Sequence, residues 1–284
     1  SARGLASKKS GNIGFILTND HFSHAEPFYT KIFLGSEFEA RNHNYYILLT
    51  TIENNFHKKE TPRFLLEKNV DGVILAGKVP HNLVNLISKY RLPMIFIDYY
   101  PDRGRFPSVL IDNIDGAAQA VSYLLKQGHE KIAFIGGDIA HPSIHDRLTG
   151  YKQTLEKHGM AINEKLAIAD MSYTGDQNGY EATMRLLASN EPFTAVFAAN
   201  DAMAYGCMRC LKEHNISIPD QVAIIGFDDV DVAIQMDPQL TTLRVDKEEM
   251  GAIAVKNMVD MIYRDKISIG KILVPTELVI RKSA

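Results

Sequence analysis

Short apolar runs alternate with amphipathic stretches along the chain from Asn12 onward. The first series of runs reads NIGFILT, YYILLTT, DGVILAG, PMIFIDY and SVLIDN, and a second reads KIAFIGG, LAIAD, AVFAAN, QVAIIGFDD and TTLRV. The runs are nearly continuous in isoleucine, leucine, valine and phenylalanine, which is typical of strands covered by helices on both faces. Alternation of such strands with helices indicates right-handed βαβ units on parallel sheets. The sequence therefore predicts an α/β fold built from two similar halves.

The helix signals support the same organisation. Asp201 directly follows the run AVFAAN, so we expect its carboxylate to cap the helix that begins there. A long amphipathic helix is predicted over 246–265. Because it follows TTLRV, a strand of the second half, we expect the chain to cross back to the first half at this point. The closing ILVPTELVI is predicted to form one or two final strands, with Pro275 at an edge or a bulge.

The composition is that of a soluble globular protein with two domains. The 284 residues are 45% hydrophobic and 23% charged, which suits two domains of about 100–150 residues each. Lys and Arg number 31 against 34 Asp and Glu, so the net charge of −3 provides no overall positive field to hold a phosphate backbone. No apolar run approaches the roughly 20 residues that span a membrane. The two cysteines, Cys207 and Cys210, suit a reducing compartment.

Three polar side chains stand where the chain leaves a predicted strand. Arg147 follows IAFIGG, Asn200 ends AVFAAN, and Asp228 lies in VAIIGFDD. Ligands bind outside the carboxyl ends of strands in open α/β sheets, and an arginine, an amide and a carboxylate can together bind a polyhydroxylated small molecule. Purely structural roles are the alternative: a surface arginine, a turn asparagine and a helix-capping aspartate. Asp229 could take that capping role and leave Asp228 for a ligand.

The sequence contains no recognisable catalytic or metal-binding motif. GxSxG, GxxxxGK[ST] and a helix-opening GxGxxG are all absent, and none of the three polar residues makes an activated nucleophile. Cys207, Cys210 and His214 share one helix face, but no second ligand pair accompanies them, so we expect core thiols. Pro142 interrupts the pair His141 and His145. We expect no enzyme activity, no metal ion and no cofactor.

Several motifs, taken in order, resemble those of the LacI/GalR family of bacterial transcription regulators. SARGLA is similar to the end of that family's hinge helix, and SGNIGFIL is similar to its first strand. DGVILAG, LPMIFIDYY and VLIDNIDGAAQAVSYLLKQGHEKIAFIGG follow the family's register, as do RLTGY, AANDAMAYG, VAIIGFDD and DPQLTTLRVD. The resemblance covers essentially the whole chain and rests on the order and spacing of these motifs.

The resemblance implies a fold of the periplasmic-binding-protein type, with two Rossmann-like lobes joined by three crossovers near Asp112, Thr242 and Gly270. We therefore expect a hinge remnant over 1–10, an N-terminal lobe over 11–111 and 243–269, and a C-terminal lobe over 112–242 and 270–284. The resemblance also implies an effector bound between the lobes and a homodimer paired through the first lobe. Operator DNA would be bound by a helix-turn-helix headpiece that is absent from this chain. Leu5 is similar to the leucine that the family inserts into the minor groove.

The resemblance also gives the polar residues roles in binding the effector. In this family the arginine of RLTGY holds vicinal hydroxyls with its planar fork, a role that falls to Arg147 here. Sugar-reading members keep a carboxylate at Asp228, and Asn200 resembles an amide of the binding proteins. The remaining expected effector contacts are Ser143, with His141 as a weaker candidate, Asp98, and the aromatic residues Phe28, Tyr29 and Phe197, for which core packing is the alternative.

We therefore expect a cytoplasmic, effector-controlled transcription regulator, present here as its effector-binding and dimerisation part. The alternative is a periplasmic sugar-binding protein of a transporter, which would have the same fold and the same polar residues. SARGLA and the absence of a signal peptide favour the regulator. Arg147 with Asp228 favours a sugar or sugar derivative over a purine. Whether the effector releases the regulator from operator DNA or promotes its binding stays open.

Overall fold

The computed structural model of the protein describes residues 9–19, 28–101, 106–264 and 270–284. The chain folds into two compact units. The first unit comprises Ser1–Leu110 and Asp246–Leu273, and the second comprises Ile111–Val245 and Val274–Ala284. The chain thus passes between the units at three points, for which the sequence suggests Asp112, Thr242 and Gly270. Leu5 lies outside the described residues.

The strands and helices alternate along the chain. The described strands are β1 (Asn12–Thr18), β2 (Tyr46–Ile52), β3 (Gly72–Ala76), β4 (Met94–Ile97), β5 (Ser108–Ile111), β6 (Ile132–Ile135), β7 (Ala167–Ile168), β8 (Ala195–Ala198), β9 (Ala223–Asp228), β10 (Thr241–Val245), β11 (Lys271–Val274) and β12 (Thr276–Val279). The described α-helices are α1 (Phe28–Asn42), α2 (Arg63–Leu66), α3 (His81–Lys89), α4 (Asn113–Lys126), α5 (Pro142–Lys157), α6 (Asp176–Ala188), α7 (Asp201–Glu213) and α8 (Lys247–Arg264). Three short 3₁₀ helices in the described residues cover Lys58–Glu60, Glu164–Leu166 and Asp231–Ile234.

The strands form two six-stranded sheets, one in each unit. Their orders are β11-β5-β4-β3-β1-β2 and β12-β10-β9-β8-β6-β7. The central strands pair in parallel, whereas β12 pairs antiparallel with β10. Pro275 lies between β11 and β12, where it interrupts no strand. The predicted α/β fold with mostly parallel sheets is confirmed.

Burial explains why these segments form strands. Every residue of β3 and of β9 is buried, as expected for a strand with helices on both faces. Helix α8 follows β10 in sequence but packs on α1 and on strands of the first unit, so the chain returns as the sequence predicts. Across the described ranges, no helix is both long enough and apolar enough to cross a membrane.

Two glycines allow α1 and α8 to pack very closely in the first unit. A Cβ atom built on Gly35 would lie 2.0 Å from the carbonyl oxygen of Glu248 on α8. A Cβ atom built on Gly251 would lie 2.1 Å from the carbonyl oxygen of Ile32 on α1. Both neighbours are backbone atoms, so only glycine fits at this crossing.

The two cysteines belong to the core of the second unit. Cys207 and Cys210 are free thiols on α7 and both are buried. Burial raises the thiol pKa to about 12 for Cys207 and to about 11 for Cys210. Within the part of the chain that the structure describes, no three His, Cys, Asp or Glu side chains are grouped so that they could hold a metal ion.

We predict that neither thiol reacts with dithiobis-nitrobenzoate in the folded protein at neutral pH, because a buried protonated thiol is a poor nucleophile. Both thiols are expected to react within the mixing time once the protein is unfolded in guanidinium chloride. Absorbance of the released thiolate measures the number of reacting groups. Rapid reaction of one thiol in the native state would contradict the core assignment.

Candidate functional site

The Arg147 side chain is buried at the carboxyl edge of the second sheet. Helix α5 begins at Pro142 after His141, whose Nδ1 accepts a hydrogen bond from the Ser143 backbone at 3.3 Å. This start places Arg147 in the second turn of α5, with only 5% of its side chain exposed. Its Nε donates to Oδ1 of Asn113 at 2.8 Å.

Three further contacts complete the surroundings of the Arg147 guanidinium group. Nη1 donates to the carbonyl oxygen of Ala199, the residue that follows β8. Nη2 donates to Oδ1 of Asp228 at 3.3 Å. The guanidinium carbon lies 3.7 Å from the ring centroid of Phe227, which is within the range of a cation–π contact. The arginine is therefore held in one orientation by polar contacts and by an aromatic surface.

Asp228 has a strained backbone at the point where β9 ends. Its φ is +105°, and that of the following Asp229 is +50°. Left-handed backbone at a residue other than glycine costs about 1–3 kcal/mol and is concentrated at functional sites. The Asp228 side chain is 13% exposed, so its carboxylate faces Arg147 while retaining some access to solvent.

Asn200, and not Asp201, caps helix α7. Its Oδ1 accepts from the Met203 backbone N–H at 2.9 Å, and its Nδ2 donates to the Thr174 carbonyl at 3.0 Å. The sequence assigned the cap to Asp201, and that prediction is wrong. Asp201 is fully buried, and its carboxylate instead accepts from the backbone N–H of Val230 and from the hydroxyl of Thr242.

Asp229 also has a different role from the expected cap. The 3₁₀ helix that follows has Val230 at its N-cap position and no side-chain cap there. Asp229 instead forms ion pairs with Arg244 at 2.8 Å and with Arg281 at 2.5 Å. Burial alone would raise the pKa of the Asp229 carboxyl, but hydrogen bonds from these two arginines outweigh it and lower that pKa. Neither aspartate is therefore the N-cap of this short helix, and the Asp228 carboxylate faces Arg147 instead.

Ser143 and Phe197, the other predicted residues of the second unit, are both buried. Ser143 lies in the first turn of α5, beside its N-cap His141. Phe197 is fully buried within β8, and its ring centroid lies 5.6 Å from that of Phe134. In this structure Phe197 therefore presents no accessible surface to a ligand.

The predicted residues of the first unit also lie together. Asp98 directly follows β4, with a left-handed φ of +57°, and its carboxylate accepts from the Tyr29 hydroxyl at 2.9 Å. The rings of Tyr29 and Phe28 stand edge to face with centroids 5.1 Å apart. Nζ of the buried Lys247 lies 5.8 Å from the Phe28 centroid. Phe28, Tyr29 and Asp98 therefore form one cluster at the carboxyl end of the first sheet.

The sequence prediction missed residues that matter to this arrangement. Asn113 and Phe227 hold Arg147 in place, although neither stands out by its type.

The chain is similar to known proteins of one family. The model of the periplasmic binding protein-like domain matches residues 121–284. The HTH-type transcriptional repressor CytR of Escherichia coli K12 is 32% identical over 261 residues, which is 91% of this chain and 76% of the repressor. The chain belongs to the LacI/GalR family of transcriptional regulators.

Solved structures of LacI/GalR regulators are similar over almost the whole chain. The transcriptional regulator CelR in complex with cellobiose has a TM-score of 0.89 and 27% identity, covering 98% of this chain and 85% of the other. A LacI family regulator from Enterococcus faecium with bound ribose has a TM-score of 0.81 and 28% identity, covering 96% of this chain and 98% of the other. The LacI/GalR resemblance and the fold that it implies are confirmed.

Proposed function

We propose that this chain is the effector-binding and dimerisation part of a LacI/GalR regulator that senses a sugar or sugar derivative. The observation that carries the proposal is the buried pair of Arg147 and Asp228 at the carboxyl edge of the second sheet. In this proposal a homodimer binds operator DNA through a separate headpiece, and the effector changes that binding. The proposal includes an effector position between the two lobes, as the family resemblance implies.

The chemistry of the pair favours hydroxyl groups as its ligand. A guanidinium fork donates two parallel hydrogen bonds, and a carboxylate accepts hydrogen bonds from hydroxyl donors. Vicinal hydroxyls of a sugar satisfy both groups at once. At 3.3 Å the contact between Arg147 and Asp228 is long for a charge-assisted hydrogen bond. A sugar hydroxyl can accept a shorter hydrogen bond from the guanidinium group and donate a shorter one to the carboxylate. The solved neighbours with bound cellobiose and ribose support a carbohydrate ligand.

The proposed switch is a shift in population between conformations. An effector that binds one conformation more tightly than the other stabilises that conformation. The stabilisation equals the difference between the effector's binding free energies for the two conformations. In a dimeric regulator that shift alters the spacing of the two DNA-reading elements over the operator half-sites. Cytoplasmic location, homodimerisation and operator binding are all parts of this proposal.

A ligand screen with one site variant tests the proposal. Thermal unfolding is measured with ribose, cellobiose, further saccharides, adenine and cytidine. We expect a saccharide to stabilise the wild type by about 2.7 kcal/mol at a hundred times its dissociation constant.

Asp228→Asn removes the carboxylate charge with little change in size, and we expect it to weaken saccharide binding at least tenfold. The matched control is Asp170→Asn, because the Asp170 side chain is 66% exposed in the same unit. Stabilisation by adenine alone, or unchanged saccharide affinity in Asp228→Asn, would contradict the proposal.

A further inference from the structure

Two arginines from distant parts of the second unit converge on Asp229, the neighbour of the proposed effector-binding Asp228. Arg244 lies on β10 directly opposite Asp228 in the strand register, and its Nε donates to Oδ2 of Asp229 at 2.8 Å. Arg281 belongs to the last residues of the chain, and its Nη2 donates to Oδ1 of Asp229 at 2.5 Å. Each carboxylate oxygen of Asp229 therefore has its own guanidinium donor.

We propose that Arg281, together with Arg244, is a positioning residue for Asp228: the two guanidinium groups fix Asp229 and so hold the left-handed turn that directs the Asp228 carboxylate to Arg147. The effect of this positioning on effector binding rests on the proposed function. The positioning itself concerns contacts within the second unit and is testable without an effector.

The turn needs such a support because its backbone is unfavourable. Asp228 and Asp229 are consecutive residues with φ values of +105° and +50°. An aspartate backbone relaxes readily toward negative φ, and such a change redirects the side chain. Arg147 cannot follow the movement, because Asn113 and the Phe227 ring fix its guanidinium group. A small rotation at the turn would therefore separate the charges of Arg147 and Asp228.

Arg281 is itself held firmly. Its Nη1 donates to the Leu240 carbonyl at 2.7 Å, and its backbone N–H donates to the Thr241 hydroxyl at 2.9 Å. Only 10% of its side chain is exposed, as is 9% of that of Asp229. Arg244 is half-exposed and also pairs with Glu277 at 3.1 Å. The buried Arg281 is therefore the stronger of the two supports.

Ser283 offers a matched control for the effect of simply loosening the chain end. It is fully buried, and its hydroxyl donates to the Ile224 carbonyl at 2.6 Å and accepts from the Thr241 backbone at 2.8 Å. Ser283→Ala therefore removes buried hydrogen bonds of the same segment while the contacts between Arg281 and Asp229 remain. If Arg281 only stabilised the chain end, Ser283→Ala and Arg281→Met would change saccharide affinity, and the effect of Asp228→Asn on the urea midpoint, in the same way.

The experiment is a double-mutant cycle measured by urea unfolding of the full chain. Asp228→Asn is introduced into the wild type, Ser283→Ala, Arg281→Met and Arg281→Lys. We expect Asp228→Asn to shift the urea midpoint equally in the wild type and in Ser283→Ala. In Arg281→Met, the shift caused by Asp228→Asn is expected to fall below half of the wild-type shift. In Arg281→Lys, we expect most of the wild-type shift to return. Equal shifts in all four backgrounds would overturn the proposal.

Saccharide affinity provides the second readout. We expect Arg281→Met to bind at least tenfold more weakly than the wild type, and Ser283→Ala to bind within twofold of it. Equal losses in the two variants would reduce Arg281 to a structural residue and overturn the positioning role. If the wild type binds no saccharide, the proposed function fails, and the urea cycle still decides whether Arg281 positions Asp228.

Discussion

Replacing Arg147 by methionine is expected to weaken binding of the saccharide effector by about 100-fold. Hydrogen bonds to charged groups contribute about 1.5–3 kcal/mol each, and 1.4 kcal/mol corresponds to a tenfold change in affinity. Methionine keeps the apolar contact with the Phe227 ring but removes every donor. Isothermal titration calorimetry with the saccharide identified by the screen measures the change.

Arg147→Lys distinguishes the guanidinium fork from the charge alone. In the structure the fork reaches Asn113, Ala199 and Asp228 at the same time. One ammonium group cannot reproduce that spread, so we expect Arg147→Lys to bind at least tenfold more weakly than the wild type. Arg185→Met is the control, because Arg185 pairs with Asp170 on the exposed surface of the same unit. Wild-type affinity in Arg147→Met or in Arg147→Lys would contradict the role of the fork.

Replacing Gly251 by alanine is expected to destabilise the first unit by about 2–3 kcal/mol. Alanine at an exposed helical position normally stabilises a protein relative to glycine by up to about 1 kcal/mol. At Gly251 the added Cβ would lie 2.1 Å from the Ile32 carbonyl and 2.6 Å from the Ser36 nitrogen, and both are backbone atoms of α1. Helices α1 and α8 must therefore separate, which costs more than the helical preference contributes.

Urea unfolding followed by circular dichroism measures the effect of Gly251→Ala. The control is Lys256→Ala, on the exposed face of the same helix, for which we expect a change of at most about 0.5 kcal/mol. Equal or greater stability of Gly251→Ala would mean that the close approach of α1 and α8 does not constrain this position.

The sequence predicts the fold well because the decisive signals are local. Near-continuous apolar runs mark the strands of both sheets, and the long helix after TTLRV is present as α8, Lys247–Arg264. The return of this helix to the first unit follows from its place in the order of elements. The strand ends at Asn200 and Asp228 follow in the same way, since a run that ends in polar residues shows where a strand ends, whereas Arg147 lies further along the chain in the second turn of α5.

The contacts of these residues could not be read from the sequence, because they join segments that are far apart in the chain. Arg147 contacts Asn113, Ala199 and Asp228, which are 34, 52 and 81 residues away from it in the sequence. Asn200 and Asp201 are both suitable caps by residue type, and only burial of Asp201 against Val230 and Thr242 decides between them. The role of Asp229 likewise depends on Arg281, which lies 52 residues further along.

The most direct test of the central claim is a crystal structure of the protein with the saccharide selected by the screen. We expect sugar hydroxyl oxygens within about 3.2 Å of the Arg147 guanidinium nitrogens and of the Asp228 carboxylate oxygens, the usual range for hydrogen bonds. A bound saccharide that contacts neither side chain would contradict the claim.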